Sequence, residues 1–263
     1  MKPKISFIAP SHRTHMWRLF YDSIITNLDF EVIFVTDKEP KPEEIPGTIS
    51  KGGVRLDDFK FEQYKNFKWI YSTVKPAQGF QIAYYESTGD YIVYCGDDYF
   101  YSPYAIDNAL IMHKSLFDHR AMISFRIHED GNETTHTHAP PWNGDIQLTT
   151  SALISRQAIE EVGGLADNNY ICGIWDVDLM FRIYAKDGKV YICPTAAAYE
   201  AHNLLHRTSE ANFATVWQEE MEYLKSCWTI NGKHTWERQK PFMPFSKENI
   251  LTMNQGKTGG LWK

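Results

Sequence analysis

The chain has 263 residues, a formal net charge of −6, 43% hydrophobic residues and 14% aromatic residues. This supports one large or two small domains with an ample core and excludes intrinsic disorder. No apolar run approaches the roughly 18 residues that span a bilayer. MKPKISFIAP is too short in apolar residues for a secretory leader, and Cys95, Cys172, Cys193 and Cys227 form no close pair for zinc or disulfides, so a cytoplasmic setting is expected.

Taken in chain order, Lys4 to Ala9 is apolar and β-prone, and Phe30 to Val35 is a second such run. Between them Trp17, Phe20, Tyr21, Ile24 and Leu28 recur at helical spacing. The segment from Lys38 to Lys65, rich in charge, Pro and Gly, is a surface connector. Phe67 to Tyr71 predicts a third strand, Ala77 to Glu86 a helix closed by Ser87-Thr88-Gly89-Asp90, and Tyr91 to Cys95 a fourth strand. This alternation predicts an α/β fold, a mostly parallel central sheet flanked by helices. Ligands of such sheets bind beyond the C-terminal strand ends. Those ends carry Pro10-Ser11-His12-Arg13, Thr36-Asp37 and Asp97-Asp98.

Further on, Tyr104 to Phe117 reads as a helix and Ala121 to Arg126 as a strand. A polar stretch from Arg126 to Asp145, holding His128, Glu129, His136, His138 and Trp142, has almost no apolar periodicity. Ile146 to Ile154 predicts a strand, and Arg156 to Val162 a helix stopped by Gly163-Gly164. A helix starting near Asp176 places Val177, Met180, Phe181 and Tyr184 on one face, and a final helix from Ser209 carries Phe213, Trp217, Met221, Leu224 and Trp228. Lys225 to Lys263 holds seven basic and two acidic residues, a net +5, which leaves −11 on the first 224 residues. Two readings are open for this segment: a tail packed on the domain through its tryptophans, or a surface for a polyanion such as nucleic acid.

Three positions carry candidate chemistry. Asp97 and Asp98 end a buried strand, where two like charges repel. They are either turn residues or half of the shell of a hard divalent cation. Asp176 opens a helix, either for the dipole's sake or as a general base beside a pocket. His202 follows Ala196-Ala197-Ala198-Tyr199-Glu200-Ala201 and is either structural or a metal ligand opposite the carboxylates.

Five stretches in order resemble the GT-A glycosyltransferases, family 2 in particular: ISFIAPSHR, FEVIFVTD, STGDYIVYCGDDYFYSP, EEVGGLADN and WDVDLMFRIYAKDGKV. The similarity covers about residues 4 to 203, so a GT-A domain is expected over 1–205 and a helical, basic extension packed on it over 206–263. The resemblance implies a metal-dependent inverting transferase that moves a sugar from a nucleotide diphosphate sugar, a UDP-sugar in the first instance, to a hydroxyl. Asp97 and Asp98, with His202, match the Mn²⁺ or Mg²⁺ ligands of the DxD motif, and Asp176 matches the catalytic base. Pro10, Ser11 and Asp37 match the nucleoside pocket, Gln81 falls near a donor-side helix motif, and Arg13 is a candidate diphosphate contact or else a surface arginine. The sequence departs from the family pattern at Cys95, where the first DxD acid would stand, and at Trp175, where the first acid of a Glu-Asp pair would stand. The acceptor is a saccharide or another hydroxyl compound, hydroxymethylated pyrimidines of DNA being one alternative. A non-catalytic sugar- or nucleotide-binding module is another.

Overall fold

A computed structural model describes residues 4–38, 40–41, 66–72, 74–129, 132–134, 146–200 and 211–245, without the side chains of 134 and 211–215. The first half builds β1 (Lys4–Ser11), α1 (Trp17–Ser23), β2 (Asp29–Thr36), β3 (Phe67–Tyr71), α2 (Pro76–Glu86), β4 (Tyr91–Tyr94), β5 (Tyr99–Tyr101) and α3 (Ala105–Ser115). There follow β6 (Met122–Glu129), β7 (Asn132–Thr134), β8 (Ala152–Ser155), α4 (Arg156–Glu161), α5 (Trp175–Tyr184), β9 (Val190–Glu200) and α6 (Ala211–Trp228), then a small hairpin of β10 (Thr229–Ile230) and β11 (Lys233–His234).

The main sheet runs β3-β2-β1-β4-β8-β6-β9-β5, with β7 beside β6. The β3-β2-β1-β4 half is wholly parallel; β8 is antiparallel to both its neighbours, while β6 and β9 pair parallel. Its strands are buried on both faces, which is why β2 reads as the unbroken run Val32 to Val35. Alternation sorts those residues between two layers. Phe7, Ala9, Val32, Phe34, Val93 and Cys95 pack with Trp17 and Phe20 of α1 and Ile106 and Leu110 of α3. Ile8, Ile33, Val35, Ile92 and Tyr94 face the opposite layer, made by α2, α4, α5 and α6. Gly79 lets α2 lie close to the end of β1, since a Cβ there would stand 3.0 Å from Pro10 Cβ.

Differences from the sequence reading have local causes. The predicted strand from Ile146 shrinks to β8 because Thr149 and Ser151 bond each other: Thr149 Oγ1 accepts from Ser151 N at 3.2 Å and donates to its carbonyl at 2.8 Å. Such local side-chain bonds compete with a strand ladder. The first helix ends at Ser23, ahead of the β-branched run Ile24-Ile25-Thr26. Trp217 faces outward at 42% exposure, whereas Leu224 and Trp228 are buried.

Residues 211–245 share the core of the preceding chain, with Leu224, Cys227, Trp228 and Phe245 in the α2/α5 layer. A buried ionic network joins them to it. Asp178 of α5 accepts from Arg182 Nε at 2.9 Å, from Trp228 Nε1 at 2.9 Å and from Arg238 Nε at 3.4 Å. Arg238 also donates to Asp167 at 2.6 Å, and Arg182 to the carbonyls of Val162, Gly164 and Leu165. Gly163 and Gly164, at φ 94° and 131°, make that turn, where the ring of Phe242 lies against Gly163. Removing one partner of a buried pair leaves a charge without compensation. Arg182→Met is therefore expected to lower stability by about 3–5 kcal/mol in urea melts.

Candidate functional site

The site forms where β1, β2 and β4 end on the same side of the sheet. After β1, Ser11, His12 and Arg13 lead into a single 3₁₀ turn, Thr14–Met16. After β4, the chain places Asp97 and Asp98 at 2% and 5% exposure. Asp97 is enclosed by the β1 loop: its Oδ2 accepts from Ser11 Oγ at 2.6 Å, His12 N at 3.2 Å and Arg13 N at 3.0 Å. Its Oδ1 accepts from Arg13 Nε at 2.8 Å and from Arg13 Nη2. The same guanidinium reaches Asp98 Oδ2 through Nη1 at 2.9 Å. Burial alone would lower the pKa of Arg13, but Asp97 and Asp98 more than offset this and raise it.

Where an ion-binding half-shell was expected, Asp97 and Asp98 meet the guanidinium of Arg13. A carboxylate offers about four lone-pair sites, and those of Asp97 are engaged by protein donors, so the pair as folded fits a guanidinium rather than Mn²⁺ or Mg²⁺. Among the described residues no group of three or more His, Cys, Asp or Glu is arranged to hold a metal. His202 lies outside the described residues, as do His136, His138 and Trp142. Cys95 points into the α1/α3 layer at 1% exposure, where burial pushes its thiol pKa far up. It is a neutral packing residue, on a face where a carboxylate would be stranded.

Other candidates divide between the surface and the interior. Asp37 is exposed after β2, and its Oδ1 lies 2.8 Å from His12 Nδ1. Pro10 is half-buried beside Gly79. Ser11 is buried beneath the loop, accepting from Trp17 Nε1 at 2.6 Å while donating to Asp97. Gln81 is 2% exposed, and its amide oxygen accepts from Ala166 N at 3.2 Å. It anchors the 163–167 turn and has no surface to offer a donor.

Asp176 lies in the first turn of α5, partly open to solvent, with Oδ1 accepting from Val177 N at 2.8 Å. Its neighbour Trp175 packs on Phe80 and Tyr94, with ring centroids at 4.6 and 5.4 Å. The start of α5 is thereby set beside the end of β4, three positions before Asp97. Desolvation, reinforced by the charge of Glu220 and opposed by backbone N–H groups, raises the Asp176 pKa to about 7. The hydroxyl of Tyr94 is buried without a hydrogen-bond partner, and Asp176 helps to hold its pKa up, after burial itself.

Glu220 was invisible to sequence reasoning. It projects from α6, 3% exposed, and its two carboxylate oxygens accept from four successive backbone N–H groups. These are Ile171, Cys172 at 2.5 Å, Gly173 at 2.9 Å and Ile174 at 3.2 Å. These are the donors leading into α5, so the carboxylate works as a cap supplied from another helix. The only hint was a glutamate at a position later found buried, and periodicity cannot show what such a residue meets.

Neither a protein-family model nor a curated protein sequence matches the chain. Among solved structures it is similar to S. aureus TarS. A crystal structure of TarS 1–349 aligns with a TM-score of 0.53 at 14% identity, over 76% of this chain and 60% of that one. The same fragment in complex with UDP-GlcNAc gives 0.50 at 12%, over 76% and 58%. The chain has the GT-A fold. A further TarS crystal structure gives 0.50 at 12% identity over 76% of this chain and 36% of that one, so the chain spans three fifths or less of these neighbours. Within this GT-A sheet, β1, β2 and β4 end on one side, and Trp175 at the start of α5 packs against Tyr94 of β4. Among the described residues no helix is long and apolar enough to cross a membrane.

Glu220 raises the pKa of Asp176, so removing its charge lowers it. In Glu220→Gln, the ¹³C-detected titration of the Asp176 carboxyl is expected to move below about 7. Stability should also fall by roughly 1–3 kcal/mol, as backbone donors lose an acceptor.

Proposed function

We propose that the protein transfers a sugar from a nucleoside diphosphate, a UDP-sugar in the first instance, to an acceptor hydroxyl with inversion at the anomeric carbon. The observation that carries this reading is Asp176, a carboxylate at a helix start beside the end of β4 whose pKa of about 7 matches a general base at neutral pH. The UDP-GlcNAc complex of TarS supports the donor class. In the reaction, the acceptor oxygen forms a bond to the anomeric carbon on the face opposite the diphosphate. The bond from that carbon to the diphosphate oxygen breaks, its electron pair leaves with the phosphate, and the hydroxyl proton passes to the Asp176 carboxylate. Asp37 and His12, paired at the ends of β2 and β1, would meet the base or ribose.

Three of the four basic residues in the described C-terminal segment have protein partners, and Lys233 is exposed. Lys225 pairs with Glu222, Arg238 lies in the buried network, and Lys240 stands 4.9 Å from the Tyr223 ring centroid. A saccharide hydroxyl is therefore the acceptor class to test first.

Asp176→Asn is expected to slow UDP release from UDP-sugars roughly 10²–10⁴-fold, with UDP binding retained. In the unmutated enzyme the rate should rise with pH through about 7 as the base loses its proton. Equal turnover by both proteins would remove Asp176 as the base, and UDP binding without turnover in either would leave the binding-module reading. Stability runs the other way. Because the folded pKa is raised from 3.8, the contribution of Asp176 is complete below that value and is lost as pH rises through about 7. Asp176→Asn should thus raise Tm most above pH ~8 and leave it nearly unchanged near pH ~3.

A further inference from the structure

We propose that the Arg13 guanidinium, rather than a divalent cation, is the positive charge that the donor diphosphate meets in this protein. The inference rests on the nucleotide-sugar reading above and replaces its metal. It starts from a count of donors and acceptors. Arg13 has five N–H groups in a planar fork. Its bonds to Asp97 Oδ1 use Nε and one hydrogen on Nη2, and its bond to Asp98 Oδ2 uses one on Nη1. Among the described residues one N–H on each terminal nitrogen is left over, with the charge of Glu200 nearby, and the side chain is 30% exposed while the carboxylate beneath it is 2% exposed. The more exposed group is therefore the cation and not the acid.

An ion at the Asp97 carboxylate would need an oxygen at about 2.0–2.2 Å. Both oxygens already carry protein donors, five in all, including two backbone N–H groups that cannot turn away without moving the β1 loop. The loop itself is pinned through Ser11 to Trp17, which packs on Phe34, Phe67 and Trp69. Arg13 is thus oriented in advance by the two acids, as a forked donor suited to phosphate oxygens. Lys38 adds a second cation to the same loop, its Nζ donating to His12 O at 2.9 Å. On this account Asp97 and Asp98 position the arginine, and the arginine meets the leaving diphosphate.

The test is calorimetric titration of the full chain with UDP, once in EDTA and once in millimolar Mn²⁺. The two dissociation constants are expected to agree within about twofold, and Arg13→Lys, which keeps a charge but loses the fork, should bind about tenfold or more weakly in both conditions. Binding that appears only with Mn²⁺ overturns the proposal and leaves the nucleotide reading standing; no binding in either condition overturns both. A second measurement needs no nucleotide. Mn²⁺ alone should leave the wild-type Tm unchanged and raise that of Arg13→Ala, in which Asp97 Oδ1 and Asp98 Oδ2 lose their guanidinium donors. A wild-type Tm raised by Mn²⁺, reversed by EDTA and lost in Asp97→Asn, sinks the idea. Should Arg13→Ala fail to fold, Arg13→Gln, which removes the charge but keeps a polar side chain, carries the same comparison.

Discussion

Two carboxylates next to each other at the end of a buried strand cannot both stay ionised at 2% and 5% exposure without a compensating charge at hand. In this chain the compensation comes from the loop of the neighbouring parallel strand. Arg13 lies across Asp97 and Asp98, while Ser11 and two backbone N–H groups fill the remaining acceptor positions. The bond therefore does more than neutralise. It ties the end of β1 to the end of β4, fixes the entry to α1 and turns a strongly acidic strand end into a surface that presents a guanidinium.

The other wall of the site is held from the far end of the sequence. Trp175 fixes the lateral position of α5 against Phe80 and Tyr94, and Asp178 one turn inside anchors α5 to Arg182, Trp228 and Arg238. Glu220 closes the approach by gathering four N–H groups. The two acids of the Asp176-Val177-Asp178 run thus have opposite fates. Asp178 is fully buried and saturated with donors, whereas Asp176 is kept partly open, with few donors and a raised pKa.

The sheet was legible from sequence because parallel strands covered on both faces must be continuous apolar runs, and Lys4 to Ala9, Phe30 to Val35 and Tyr91 to Cys95 are such runs. The start of α5 was legible because Asp176 precedes a clean helical face. What escaped was pairing. Asp97 reads as a metal ligand when only its own strand is considered, since nothing in PSHR announces that the arginine will fold back 84 residues to meet it. Gln81 was assigned to the donor by its place in a motif, yet burial commits its amide to Ala166. Ile146 to Ser151 has strand composition, but threonine and serine hydroxyls satisfied its backbone locally. Each miss concerns a polar group whose partner is distant or local in a way that hydrophobic periodicity does not encode.

Glu220 lies 46 positions beyond Ile174, the last of the N–H groups it holds. During synthesis from the N-terminus, the sheet has all its main strands by Glu200, before this carboxylate has been translated. The turn ahead of α5 therefore takes its final shape last, and a shorter chain would hold the strands of the sheet without this acceptor for the backbone N–H groups of 171–174.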